Sequence, residues 1–377
     1  MRAEGTEPRA RLALVLKGDP RDPRSWSGVP SKLADALEEI GCEVVPINAE
    51  VPRGRTLRHR LKMTWADQEA SRAFAAGSKL VARSKLVGAG GVEGIVALDS
   101  GYLIGGRVPV VTYDDMTVAQ AMRQGDDPVY QGLSERAAAH WRARQQKIYD
   151  RSHACCAAAR WAAESIHEDY GIGSEKIHVI GFGHNVEMEI PDRDWSVPRF
   201  LFVGGDWQRK RGGAIVAAFQ QLRESYPEAT LDLVGGHPPI EAPGVNGHGK
   251  LPLGSESGER IYYELLRKST CYVMPSSFEP LGIAYLDAAT AGMPCIATTS
   301  GGARDAVAGS GLLVDPDDDA GLLRAMTELS DPETARRMGA AARRHSDLYT
   351  WRAVAERLLR SFDLPAIDND QLAGYIA

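Results

Sequence analysis

Two acidic side chains eight residues apart, Glu279 and Asp287, stand in the stretch Met-Pro-Ser-Ser-Phe-Glu-Pro-Leu-Gly-Ile-Ala-Tyr-Leu-Asp, Met274 to Asp287. An apolar strand, Cys271 to Met274, leads into it. Pro275 to Pro280 form a turn, and Leu281 is expected to open a helix. At about 3.6 residues per turn the two carboxylates would then share a face, one above the other. Between them, Gly282 and Ile283 would present free backbone N–H groups at the positive end of the helix dipole, a seat for a phosphate. An anion seat with carboxylates beside it suits a nucleotide-sugar, with diphosphate on the N–H groups and hydroxyls on the acids. The same residues would also serve an ordinary strand-to-helix turn in an α/β sheet.

A second cluster begins where the strand Arg199 to Val203 ends: Gly-Gly-Asp-Trp-Gln-Arg-Lys-Arg-Gly-Gly, Gly204 to Gly213. Three consecutive cations, Arg209, Lys210 and Arg211, lie between glycines that permit close approach. They read either as a diphosphate clamp or as a solvated basic turn. The Walker pattern Gly-x4-Gly-Lys-Ser/Thr is absent. In the first half, Gly28 stands at a helix start and either lets backbone approach a phosphate or makes a tight turn. Asp114 and Asp115 follow the strand Val108 to Tyr113, at the sheet edge where ligands bind; the alternative is an N-cap for the segment from Thr117. Arg53, Arg55, Arg58, Arg60 and Lys62, with His59, form either a solvated helix face or a patch for an anionic acceptor or membrane surface. His184, in Gly-Phe-Gly-His-Asn, faces either a cleft or solvent.

The elements that must position these residues alternate strand and helix. Arg11 to Lys17, the helical pattern Val29 to Ile40 capped by Gly41, and Glu43 to Ile47 make a βαβ unit, so a parallel sheet is expected. Val92 to Leu98, Val108 to Tyr113, Ala154 to Ala158 and Ile177 to Ile180 continue it. Val186 to Pro198, polar with two prolines and no periodicity, reads as a linker, after which the pattern restarts. Gly235 to Leu253 is Gly/Pro-rich and reads as an irregular loop. At 377 residues the chain has room for two domains, and its 44% hydrophobic content is that of a globular protein. A net charge of −6 gives no reason to expect nucleic acid. The polar N-terminus, the lack of a long apolar run and five scattered cysteines point to a cytoplasmic protein with buried thiols.

Three motifs of the second half resemble, in order, the nucleotide-sugar domain of the retaining family-four glycosyltransferases (glycosyl transferases group 1). Phe202 to Gly213 resembles their phosphate-binding segment, Pro275 to Asp287 their Glu-x7-Glu motif, and Ser300 to Asp315 their Gly-Gly…Gly-Leu-Leu-Val-x-Pro ending. The first half is similar more loosely, through Trp26 to Pro30, the helix after it, and Val179 to Asn185. The resemblance implies a GT-B fold, two Rossmann-like parallel-sheet domains facing a central cleft. It places an acceptor domain at 1–190, joined by a C-terminal helix in 351–377, and a donor domain at 191–350. It further implies that Arg209 and Lys210 neutralise the donor diphosphate, over the N–H groups of Gly282 and Ile283 and beside Gly204 and Leu281. Glu279 would engage the donor sugar, Asp287 the ribose hydroxyls, and Gly28 the phosphates.

The resemblance implies leaving-group stabilisation by cations and a helix end, with no metal and no cofactor beyond the nucleoside-diphosphate-sugar co-substrate. Three positions depart from the family pattern. Asp287 replaces a glutamate, Arg211 intervenes before Gly212, and Asp114 occupies the position where a histidine often contacts the donor sugar. The expected activity is a metal-independent, retaining hexosyl transfer to an acceptor hydroxyl, with Glu279, Arg209, Lys210 and Asp114 as catalytic residues. The rival readings are a phosphorylase or epimerase of the same fold, and a non-catalytic nucleotide-sugar-binding subunit. The expected partners are the donor and an acceptor left open among a small molecule, a polysaccharide, a lipid and an antibiotic-like aglycone, with Arg53 to Lys62 tilting the reading towards an anionic or membrane-surface one; the expected place is the cytoplasm or the inner membrane surface.

Overall fold

The structure is a computed structural model that describes residues 8–51, 71–98, 100–101, 104, 108–124, 133–252 and 255–363. The basic stretch Arg53 to Lys62 therefore lies outside the described residues, as does the tail after Asp363. The chain divides into two compact units, Met1–Gly183 with Trp351–Ala377, and His184–Thr350.

The first unit is built on β1 (Arg11–Leu16), α1 (Val29–Glu39), β2 (Glu43–Asn48), α2 (Arg72–Ala89), β3 (Gly94–Leu98) and β4 (Val110–Asp114). It continues with α3 (Val118–Gln124), α4 (Glu135–Arg151), β5 (Ala154–Ala157), α5 (Arg160–Glu168) and β6 (Ile177–Val179). All six strands are parallel, in the order β2-β1-β3-β4-β5-β6. β3 and β5 are buried along their whole length. Strands covered on both faces read as unbroken apolar runs, which is why the sequence displays them. Tyr113, Phe182, Trp26 and Trp351 close the unit in a chain of edge and tilted ring contacts. The cap before α3 is Thr117, whose Oγ1 accepts from Gln120 N at 3.1 Å while Gln120 Oε1 accepts from Thr117 N. This reciprocal box leaves Asp114 and Asp115 out of the capping role.

The second unit runs β7 (Arg199–Gly204), α6 (Gly212–Leu222), β8 (Thr230–Gly235), β9 (Val245–Gly249), α7 (Glu256–Lys268), β10 (Cys271–Val273) and α8 (Ile283–Thr290). It ends with β11 (Cys295–Thr298), α9 (Ala303–Val307), β12 (Gly311–Val314), α10 (Asp319–Glu328) and α11 (Pro332–Ser346). Helix α12 (Trp351–Arg360) belongs to the first unit. The second sheet is also parallel, ordered β12-β11-β10-β7-β8-β9. Its order reverses between β7 and β10, and the loops leaving such neighbouring strands open the crevice where ligands settle.

Two sequence expectations change here. The supposed loop 235–253 contains a strand, β9, in parallel register with β8. Its Val-Asn-Gly-His-Gly has little intrinsic strand preference, and the pairing supplies what propensity does not. Helix α8 begins at Ile283, not Leu281, because Gly282 before it has φ +90°. That left-handed residue, following Pro280, keeps Leu281 out of the helix.

Candidate functional site

The switch point of the second sheet gathers the cluster. Leaving β7, the chain turns through Gly204 to Arg211; leaving β10, it turns through Met274 to Gly282. The two turns are tied together by Ser277 N, which donates to Arg209 O at 2.7 Å. Glu279 is held from the other side by the Ser300 turn. Its N donates to Ser300 O at 3.1 Å, and Gly302 N donates to its O at 2.8 Å, an isolated parallel bridge to Gly301. Gly301 has φ +94°, and a Cβ there would run into the Glu279 carbonyl. Thus Ser300-Gly301-Gly302 orients Glu279 through its backbone.

Glu279 is 8% exposed. Its Oε2 accepts from Arg209 Nη1 at 3.3 Å, Lys210 Nζ at 3.4 Å and Ser276 Oγ at 3.4 Å. Arg209 also donates to Phe278 O at 2.8 Å, lies over the Phe278 ring, and takes Asp206 as a partner at 3.6 Å. Lys210 reaches past Gly204, where an added Cβ would stand 2.5 Å from Lys210 Cδ, and its Nζ meets Met274 Sδ at 3.0 Å. Gly204 is therefore small so that the lysine can lie against the strand end. Arg211 parts from the other two cations: it has φ +56° at the cap of α6, and Nη2 donates to Asp319 Oδ1 at 2.6 Å.

Helix α8 starts beside this cluster, without a side-chain cap at Gly282. Glu279 Cγ is 3.1 Å from where a Cβ on Gly282 would sit. The Glu279 side chain therefore passes close to the first turn of α8, whose leading N–H groups carry the positive end of the helix dipole. Leu281 is fully buried beneath it. Tyr285, stacked edge-on to Tyr272, anchors the helix by donating to Met274 O at 2.5 Å. Burial pushes both phenols well above their ordinary range, so they stay neutral hydrogen-bond donors.

Asp287 does not share a helical face with Glu279, because Glu279 precedes α8 and belongs to the bridge with Gly301. Asp287 is 5% exposed; it accepts from Asn185 N at 2.6 Å and from the Tyr262 phenol at 3.3 Å. Burial, and then the charge on Asp287, push the Tyr262 phenol well up. Sequence reasoning missed both partners, since neither a backbone N–H nor a phenol remote in the chain leaves a local pattern.

In the first unit, Gly28 caps α1 with φ +83°, following Trp26 and Ser27, which are also left-handed. Trp26 Nε1 donates to Asp115 Oδ2 at 3.3 Å. Asp114 is 5% exposed and accepts from Ser100 N at 3.1 Å, Ser100 Oγ at 2.8 Å and Tyr149 at 3.3 Å. Gln145 Nε2 in turn donates to Ser100 Oγ at 2.6 Å. His184 is partly buried, with Nδ1 2.7 Å from Val186 O. All five cysteines are buried and free. Among the described residues no three histidines, cysteines or carboxylates gather to hold a metal ion.

Comparison with known proteins bears on this arrangement. Residues 197–331 match the family model described as glycosyl transferases group 1. The glycogen synthase of Mycobacterium tuberculosis is 32% identical over 164 residues, 41% of this chain and 40% of that protein. The GDP-mannose-dependent alpha-(1-6)-phosphatidylinositol monomannoside mannosyltransferase of Mycolicibacterium smegmatis is 31% identical over 168 residues, 40% of this chain and 44% of that protein. The chain thus spans less than half of either relative. Sucrose-phosphate synthase of Thermosynechococcus elongatus superposes with a TM-score of 0.67 at 18% identity, over 94% of this chain and 98% of that one. At that identity the likeness is one of fold. Residues 197–331 thus resemble the glycosyl transferases group 1, and the fold is the two-domain α/β GT-B fold.

Proposed function

We propose that this chain is a glycosyltransferase that moves a sugar from a nucleoside-diphosphate-sugar to an acceptor hydroxyl, with retention at the anomeric carbon and without a bound metal. The observation that carries the reading is the convergence of Arg209 and Lys210 on Glu279 beside the uncapped start of α8. In the transfer the acceptor oxygen bonds to the anomeric carbon and the bond from that carbon to the diphosphate oxygen breaks. The electron pair, and overall the acceptor's proton, end on the nucleoside diphosphate. Two cations and first-turn N–H groups in a partly buried crevice would stabilise that developing charge. Glu279 balances the cations before the donor arrives and faces the donor sugar afterwards. Asp287 would meet the ribose.

The Mycolicibacterium relative's name, which specifies a GDP-mannose donor and an alpha product, supports a nucleotide-linked donor and retention for this chain too. The test is a thermal-shift screen against UDP-, GDP- and dTDP-sugars in chelator, repeated with Lys210→Ala, followed by product analysis. Stabilisation by one nucleotide series, lost in Lys210→Ala, is expected from linkage. No shift with any nucleotide-sugar, or a shift with a sugar phosphate alone, would overturn the transferase reading in favour of a phosphorylase.

A further inference from the structure

Helix α2 (Arg72–Ala89) carries Arg72, Lys79, Arg83 and Lys85 and no acidic residue, on a chain of net charge −6. Its buried side chains, Phe74, Ser78 and Ala82, lie on one face, and Ala82 enters the core under β1 and β3. At about 100° per residue, the opposite face is a ridge of Ala73, Ala76, Leu80 and Val87. Leu80 is 69% exposed and Val87 83%, two of the four large apolar side chains left exposed among the described residues. Arg83 and Arg72, both exposed, border this ridge on one side, and Lys79 stands just beyond them. Lys85 takes no part in this border: by the same spacing it stands on the side of Phe74 and Ser78, and its Nζ donates to Asn48 O at 2.7 Å.

We propose that α2 docks this face on an anionic lipid surface. An apolar ridge with cations beside it matches the layering of a bilayer interface, hydrocarbon beneath and lipid phosphates at the level of the guanidinium and ammonium groups. The ridge has no aromatic side chain on which a nucleobase would stack, so single-stranded nucleic acid is a poorer match. Among the described residues no helix is long and apolar enough to cross a membrane, so the contact is peripheral. The proposal does not rest on the transferase reading, because it concerns partitioning and not turnover.

The full chain would be sedimented with vesicles of phosphatidylcholine alone and of equal parts phosphatidylcholine and phosphatidylglycerol, at low and high salt. Binding is expected only to the anionic vesicles, weakening as salt rises. Arg72→Gln with Arg83→Gln should lower partitioning about twenty-five-fold, roughly fivefold per cation. Leu80→Ser with Val87→Ser should lower it about tenfold through lost apolar insertion. These side chains are exposed, so circular dichroism and melting should match the parent and separate lost docking from lost folding. Equal sedimentation with both vesicle types, or unchanged binding in both double variants, would overturn the proposal. So would a concentration-dependent dimer abolished by Leu80→Ser with Val87→Ser in a protein that ignores vesicles, which would give the ridge to a second copy.

Discussion

Glu279 is a carboxylate placed between two cations that are themselves expected to receive an anion. That position separates binding from turnover. Replacing it by glutamine removes a negative charge that opposes the diphosphate, so Glu279→Gln should bind nucleoside diphosphate at least as tightly as the parent while turnover falls about a hundredfold. Lys210→Ala should instead weaken nucleotide binding about tenfold or more, by removing a charge-assisted contact. Calorimetric titration with the nucleoside diphosphate and an initial-rate assay distinguish the two. Weakened nucleotide binding in Glu279→Gln would remove the argument that the cations are the anion's seat. Arg211, directed to Asp319, should tolerate change better than Arg209 despite their near adjacency.

At the scale of elements, the site depends on backbone ties between turns that are distant in sequence. Gly301 combines a left-handed φ with direct backbone contact to Glu279. Gly301→Ala should cost about 1–3 kcal/mol of stability and depress activity more than that loss explains, read from urea melts beside rate assays. Parent-like activity in a folded variant would show that the bridge does not orient Glu279. The segment read as a linker is also fastened down. Arg193, 6% exposed, donates to Leu266 O, Arg267 O, Ala291 O and Gly292 O, closing the C-terminal ends of α7 and α8. Burial lowers its pKa to about 10, which leaves it charged at neutral pH. Arg193→Met would leave buried carbonyls unpaired and should destabilise by about 3 kcal/mol. An unchanged urea midpoint would mean that water takes the guanidinium's place.

For the whole molecule, acid sensitivity can be traced to partly buried imidazoles, one in each unit. Burial lowers the pKa of His178 and of His184 from the ordinary value of 6.5. The unfolded chain therefore binds protons that the folded one resists, and stability rises with pH across that interval. The contribution is fully present above about 6.5 and is lost as pH falls through each folded value. Melting temperature should thus be level from neutral pH upward and decline below about 6.5, with a shallower decline in His184→Gln. A decline of equal slope in the variant would assign the sensitivity to other groups.

Sequence alone disclosed the apolar runs of the strands, the glycine-flanked Arg-Lys-Arg turn, the Glu279 turn and the glycine pair at Gly301. These are legible because strand burial and tight turns constrain residue types within a few positions. It also carried the family resemblance that the match over residues 197–331 bears out. It did not disclose that α8 starts at Ile283, that β9 is a strand, that Arg211 leaves the other cations, or that Asp287 is engaged by Asn185 and Tyr262. Each of those rests on a partner far along the chain or on a left-handed backbone, which local pattern does not encode. Residue types along a short stretch determine which elements form and which charges are on hand. Which charges meet is decided only when the strand order brings the ends of β7 and β10 side by side.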